Sequence, residues 1–471
     1  MIVCCIVDVF VPMMSCPDIL SFYCIEKKGM ESITITQDEQ DLFNIIKQLH
    51  YEVRVAGGWV RDKLLGLPCH DMDIVVNQTT GIEFANALKL YLEQKSEQII
   101  KIGIITANPA KSKHLETATF QFRNYSIDVN HLRCESYASN SRIPSTIQMG
   151  TPLEDAKRRD LTIDALFYNI HTNAIEDFCG TSLSDLVETK IIKTPLDPFQ
   201  TFQDDPLRVL RAIRFAARFK DRGFTMDNNL INAAKHVVTQ KGLQEKVSRE
   251  RIGIEIKKML SCHDTFIYAY DWLCEFALLP IIFDTKQCQR DQLRFCSSFL
   301  KQVEHKSMLL LASIIFHSNS VGDKRDRKSL EGSMEPIVQK EVKELLCLSS
   351  KEMTCIMKIC KACDFLIQDQ EKIGHFLWDY AQELWLESII LAASCNNDIV
   401  VETMKAKVLE SGLLGCWDRK MLVDGNELMT RYGIKGKMVG QWLSIEKEWI
   451  ILHPMASKEE CDEWLDSLQK K

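Results

Sequence analysis

Two adjacent glycines, Gly57 and Gly58, stand between a run that alternates as a strand, Val53 to Ala56, and a run with helical periodicity beginning at Trp59. A strand that passes straight into a helix needs backbone freedom that glycine supplies without steric cost, so the pair prescribes a strand–turn–helix unit. Such a turn directs backbone N–H groups out of a helix N-terminus, an arrangement suited to phosphate. Arg61 and Asp62 follow in the same helix, placed to reach a triphosphate and to buttress the turn. An ordinary tight turn uses the same glycines, so the next segment decides between the two.

About eight residues further on comes Asp71-Met72-Asp73, opening a strand that runs to Val76. Alternation turns Asp71 and Asp73 to one face while Met72 and Ile74 enter the core. Side by side, two carboxylates repel and raise each other's pKa unless divalent cations lie between them. Magnesium, which seeks oxygen and leaves coordination positions for substrate phosphates, suits such a pair. Alone, a D-x-D is ordinarily a solvated surface strand. Preceded by the glycine turn, it becomes a candidate metal site beside a triphosphate site.

At 471 residues the chain exceeds the usual domain size of roughly 100 to 200 residues, so several modules are expected. Short apolar runs alternate with helical stretches from Ile33 to Leu132, with a helix at Gln37 to Leu49 and strands at Thr117 to Phe122 and Ile127 to Leu132. After Asp177 strand signals nearly vanish and helical periodicity dominates. Residues 317–336 are polar and rich in breakers, a loop or disordered insertion between helical subdomains.

The net charge of −7 offers a polyanion no global attraction, so nucleic acid would need a local basic face. Eighteen irregularly spaced cysteines read as reduced thiols of an intracellular protein, and Cys360-x-x-Cys363 as helix packing. No apolar run reaches the roughly 18 residues of a membrane span. Residues 1–29, apolar and cysteine-rich, make a poor secretory or mitochondrial leader, and Met30 is an alternative start. Cytoplasm, nucleus and mitochondrion all stay open.

The order Gly57-Gly58, Arg61-Asp62, Asp71-x-Asp73 resembles the polymerase-β nucleotidyltransferase superfamily, specifically the eukaryotic type of the class II tRNA nucleotidyltransferase (CCA-adding) family. The resemblance implies an α+β fold: a small catalytic head with a mixed β-sheet and helices over residues 30–170, then an all-α remainder. That remainder divides into a neck over 171–260, a body over 261–316 and, past the insertion, a body and tail over 337–471 that binds tRNA. It implies a third metal carboxylate on a later strand, matched by Asp128 between core-facing Ile127 and Val129, with Glu116 the second choice. Two magnesium ions, CTP and ATP as substrates, and the 3′ end of tRNA with its acceptor stem and elbow are likewise implied. No membrane or protein partner is.

The segment from Leu153 to Ile170, a helix running into a strand, carries Arg158-Arg159-Asp160 and resembles the family's R-R-D motif. By that resemblance Arg159 and Asp160 contact sugar or phosphate, and Asp160 takes the ribose hydroxyl. Asp164 stands where the family usually has asparagine. The segment from Asp204 to Phe219 reads as one helix with acids at its start and Pro206 in its first turn, and resembles the family's E-D-x-x-R motif. Asp205 and Arg208 are then the base readers, and Arg211 joins the nucleotide site. Asp204 replaces the family's glutamate, whose role would be to steer Arg208.

Cytosine and adenine each offer an amino donor beside a ring-nitrogen acceptor, which a carboxylate and a guanidinium satisfy together; guanine and uracil reverse the order and leave buried groups unpaired. The polar stretch from Arg133 to Pro152 resembles the family's flexible loop. For tRNA, Arg214 and Arg218 extend the selecting helix, and Arg249, Arg251, Lys257 and Lys258 line the amphipathic helix after it, which otherwise is an ordinary solvated helix. Lys435 and Lys437, beside Gly433 and Gly436, form a candidate tail grip on tRNA backbone, with a helix–turn–helix packing corner as the alternative. The expected activity is addition of CCA to tRNA. Addition of CC only or the final A only, a poly(A) polymerase, and a catalytically silent RNA-binding protein are the other readings.

Overall fold

The computed structural model describes residues 33–95, 102–105, 117–137, 144–283, 289–319 and 334–469. Residues 1–29 and Glu116 therefore lie outside the described residues. The head contains α1 (Gln37–Lys47), β1 (Val53–Ala56), α2 (Gly58–Leu64), β2 (Asp71–Val76), α3 (Gly81–Gln94), β3 (Gly103–Ile105), β4 (Thr117–Phe122), β5 (Tyr125–His131), β6 (Arg133–Tyr137), β7 (Pro144–Met149), α4 (Pro152–Lys157), β8 (Phe167–Asn169) and β9 (Ala174–Glu176). Seven strands form one sheet in the order β3-β4-β5-β2-β1-β8-β9. Only β2 and β5 run parallel, so the sheet is mixed as expected.

Alternation assigns the faces. Val53, Val55, Met72, Ile74, Val76, Ile127 and Val129 are buried in the main core with α1 and α3. On the other face Ala56, Val75, Leu132 and Phe167 form a smaller cluster with Ala156 and Ala165 of the segment around α4. The carboxylates of β2 and β5 emerge on this thinly covered side. Thr36, Thr80 and Thr151 cap α1, α3 and α4 with reciprocal glutamate bonds, each satisfying two otherwise orphaned donors.

Three boundaries differ from the sequence reading. β9 carries the head sheet past residue 170, because its pairing with β8 closes a hairpin that local pattern does not reveal. Arg133 to Pro152 is not a plain loop: β6 and β7 pair antiparallel across it. Helices reach Asn319 and resume at Met334, so the insertion is shorter than 317–336.

The neck contains α5 (Ser182–Val187), β10 (Ile191–Ile192), α6 (Pro198–Asp204), α7 (Leu207–Arg218), β11 (Thr225–Met226), α8 (Asn228–Lys235), α9 (Val237–Lys246) and α10 (Arg249–Ser261). It is helical apart from the two-residue parallel pair β10–β11. Helical body and tail follow, and the tail has its own small core around Leu428, Tyr432, Cys461 and Leu465. No helix among the described residues is long and apolar enough to cross a membrane. Twelve described cysteines are free, as expected, but Cys274 is disulfide-bonded, against that expectation.

Neck and body touch backbone to backbone at Gly253 of α10, where a Cβ would stand 1.8 Å from the Leu346 carbonyl oxygen. Gly253→Ala should therefore push α10 off the body and cost about 1–3 kcal/mol, typical of overpacking, seen as a lowered Tm in thermal unfolding.

Candidate active site

Gly57 joins β1 to α2 with φ +65° and ψ −118°, a conformation hostile to any side chain, and its N–H donates to the Leu166 carbonyl at 2.9 Å. A Cβ there would stand 2.8 Å from Arg159 Nη1 and 3.2 Å from the Asp164 carbonyl oxygen, but it is the dihedral that requires glycine. Neither Gly57 nor Gly58 lines the cleft described below, but Arg159, which abuts Gly57, does.

Arg61 turns inward. Its Nε donates to Asp62 at 2.8 Å, its Nη1 pairs with Asp164, and its guanidinium lies 4.7 Å and 5.5 Å from the ring centres of Phe215 and Phe219 on α7. The expected reach to a triphosphate is thus corrected: Arg61 is buried and buttresses the turn against the neck. Asp62 completes the joint by accepting from Arg218 at 3.1 Å. Asp164, the departure from the family's asparagine, acquires a physical role as the buried counter-charge of Arg61.

The parallel register of β2 and β5 sets Asp73 directly opposite Asp128, with Asp71 one alternation earlier on the same face. Asp73 keeps a side open to solvent but is crowded elsewhere. That burial pushes its carboxyl above the usual range; Arg159 offsets part of the push, and Asp128, Asp164 and Asp71 add to it. Among the described residues no three His, Cys, Asp or Glu side chains converge to cage a metal unaided. Magnesium bound mainly by phosphates and water needs only one or two carboxylates, and the crowded negative charge at Asp73 is what such a cation relieves.

Beside these carboxylates opens a cleft of about 500 Å³. Six arginines line it, Arg133, Arg158, Arg159, Arg208, Arg211 and Arg251, together with Asp73, Asn130, Asp160, Asp205 and Glu255. Asp155, fully buried on α4, holds Arg158 and accepts from Arg159 Nη2 at 2.9 Å. Arg159 also donates to the Asp164 carbonyl at 3.0 Å and lies over Phe167. Asp160 receives Arg211. Burial pushes the Asp160 carboxyl up, but Arg211 and Arg208 override it and hold the group at about 2.

The predicted single helix from Asp204 to Phe219 is broken. α6 ends at Asp204, Asp205 is extended, and α7 starts after Pro206. Proline disfavours helix in the residue before it and lacks the N–H an interior turn needs, so the break falls where Asp205 must face the cleft. Its carboxylate accepts from Arg251 at 2.7 Å and 3.3 Å and from the Leu207 N–H at 3.2 Å. Arg208 donates to the Arg158 carbonyl at 2.7 Å. Asp204 is not brought in: it accepts from Gln200 at 2.7 Å and lines no part of the cleft.

Of the residues proposed for tRNA, Arg214 is buried and spent on Glu255 at 2.6 Å, because α7 turns that side toward α10. Arg218 is engaged by Asp62 and Arg249 by the Ile281 carbonyl. Arg251 lines the arginine-rich cleft instead. Lys257 pairs with Glu352 at 2.5 Å yet stays largely exposed, Lys258 is half exposed, and Lys435 and Lys437 are exposed at the turn into the helix Lys437–Leu452. Sequence reasoning missed Arg133, Asp155 and Glu255. Only Asp155 had a local signal, its spacing of three and four residues before Arg158 and Arg159.

A carboxylate-bearing mixed sheet beside an arginine-lined cleft and a helical neck defines a nucleotidyltransferase head. Residues 53–192 match the poly(A) polymerase head domain family. The chain is 33% identical over 460 residues to the Schizosaccharomyces pombe tRNA nucleotidyltransferase cca2, covering 89% of this chain and 93% of that protein. It is 44% identical over 248 residues to the mitochondrial CCA tRNA nucleotidyltransferase of Saccharomyces cerevisiae, spanning 48% of this chain and 44% of the relative. An apo CCA-adding enzyme structure superposes with a TM-score of 0.65 at 19% identity, covering 92% of this chain and 96% of the other. The chain belongs to the tRNA nucleotidyltransferase family.

Asp73→Asn should lower transfer more than ~100-fold, as loss of a preorganised charge does. Because the folded-state pKa of Asp73 is raised, its ionised form costs the metal-free fold stability at neutral pH, a cost lost as pH falls. The same variant should therefore raise the metal-free Tm slightly and abolish any Tm rise with magnesium, measured by calorimetry.

Proposed function

We propose that this protein adds CCA to the 3′ end of tRNA, drawing on CTP and ATP, without a template and with release of pyrophosphate. The observation that carries the reading is the register of Asp73 opposite Asp128, with Asp71 on the same face, at the mouth of an arginine-lined cleft. These three carboxylates would hold two magnesium ions, which when bound supply an activated 3′-hydroxyl and neutralise the departing pyrophosphate. Arg158 and Arg159, set by buried Asp155, present positive charge toward the triphosphate. Asp160 is kept ionised by Arg211 and offers an acceptor to the ribose.

Base choice falls to Asp205 and Arg208, an acceptor and a donor held by Arg251 and by the Arg158 carbonyl. Together they satisfy the amino donor and ring acceptor of C or A, and penalise G and U. Exposed Lys257, Lys258, Lys435 and Lys437 are the basic groups left to meet tRNA backbone. Solved relatives include a Thermotoga maritima CCA-adding enzyme complexed with tRNA. The mitochondrial name of the budding-yeast relative admits that compartment as its site of action.

The test uses purified protein with tRNA ending at the discriminator base, at C or at CC, each with CTP or ATP. Stepwise growth to CCA is expected. Growth stopping at CC, or only on CC-ended tRNA, assigns a partial activity, and no incorporation on any substrate overturns the reading. Asp205→Ala should raise misincorporation of UTP and GTP about 10- to 100-fold, read by sequencing the product ends.

A further inference from the structure

Far from the cleft, in the helical body, four cysteines and a histidine meet between helices. Cys296 lies on Arg290–Ser298, His317 on Lys306–Asn319, Cys360 and Cys363 on Ser350–Gln368, and Cys395 at the end of Trp385–Cys395. Cys296, Cys360 and Cys363 are fully buried, while Cys395 is partly exposed. Cys395 Sγ stands 3.8 Å from His317 Nε2 and 4.0 Å from Nδ1, and donates to the Leu391 carbonyl at 3.1 Å. Ser394 Oγ lies 3.0 Å from His317 Nε2, which orients the ring. The helix Ser350–Gln368 that carries Cys363 packs against the helix that ends at Cys395, and the two thiols interact.

A partly exposed sulfur beside an imidazole, with a second thiol against it, is the arrangement of a nucleophilic thiol and its resolving partner. We propose that Cys395 and Cys363 form an oxidisable dithiol that reacts with hydroperoxides and closes to a disulfide joining the two helices that carry them.

The Cys395 sulfur attacks the distal peroxide oxygen; an S–O bond forms, the O–O bond breaks, and the leaving alkoxide or hydroxide takes a proton. The Cys363 sulfur then attacks the Cys395 sulfenic acid; an S–S bond forms, the S–O bond breaks, and water leaves with the Cys363 proton. The two sulfurs lose two electrons in total and the peroxide gains them. The electrostatics agree: the Cys363 hydrogen bond lowers the Cys395 thiol most, burial opposes it, and His317 assists, bringing it to about 5. Burial pushes the Cys360 and Cys363 thiols up, which leaves them protonated and unreactive as first nucleophiles.

The experiment exposes the reduced full-length protein to hydrogen peroxide, blocks remaining thiols with iodoacetamide and maps cysteine peptides by mass spectrometry. A Cys363–Cys395 cross-link that dithiothreitol removes is expected, appearing at least ~10-fold faster than oxidation of the exposed Cys347. Cys363→Ser should instead accumulate a dimedone-reactive sulfenic acid at Cys395, and His317→Gln should slow the reaction about 10-fold. Oxidation of Cys395 no faster than Cys347 in the unsubstituted protein, or a cross-link between other cysteines, overturns the proposal whether or not the variants fold.

Discussion

Negative charge gathered on one face of the head sheet is the constraint that the surrounding structure answers. Asp71, Asp73 and Asp128 emerge together, and Asp155, Asp160 and Asp164 come close behind them from the segment after β7. Left alone, so many carboxylates would repel one another and take up protons. Arginine is the general answer, since its charge persists when buried and its fork serves two acceptors at once. Arg61 pairs with Asp164, Arg159 with Asp155, and Arg211 with Asp160 while lying 3.9 Å from Asp164. Asp73 is the acid of this group whose carboxyl is pushed up by burial, with Arg159 offsetting only part of the push.

The same charge pairing joins head to neck. Arg61 leaves the glycine turn to lie between Asp62, Asp164 and the rings of Phe215 and Phe219, so the turn that ends β1 also locates α7. Arg211 from α7 returns to Asp160 of the head, while Arg251 from α10 holds Asp205 within the neck. Breaking a pair buried on both sides, as Arg61–Asp164 is, typically costs about 3–5 kcal/mol, because it strands the partner charge. Cleft geometry and neck position are therefore one electrostatic problem.

Much of this was legible in sequence because it depends on local pattern. The strands Val53 to Ala56 and Thr117 to Phe122 fell where alternation placed them, as did the turn at Gly57 and the facing of Asp71, Asp73 and Asp128. The break at Asp205 is not marked by local pattern, since acids and a proline also suit a helix start. Arg214 was misassigned for a different reason. Its position on an amphipathic helix does not say which neighbour will turn Glu255 toward it.

What the sequence determined by itself was the carboxylate-bearing edge of the sheet: glycine where φ must be positive and carboxylates at alternate strand positions, with Asp128, named through the family resemblance, turned out of the core. These follow from backbone sterics and the period of a strand, which act within a few residues. Tertiary structure alone decided which charges are spent and which remain free. Arg61 went to Asp164 and Arg251 to Asp205 across separations of 103 and 46 residues, and Asp204 was left outside the cleft one position from Asp205. A charge pair forms wherever folding brings partners within a few ångströms and removes competing water, and neither condition is written in the spacing of residues along the chain.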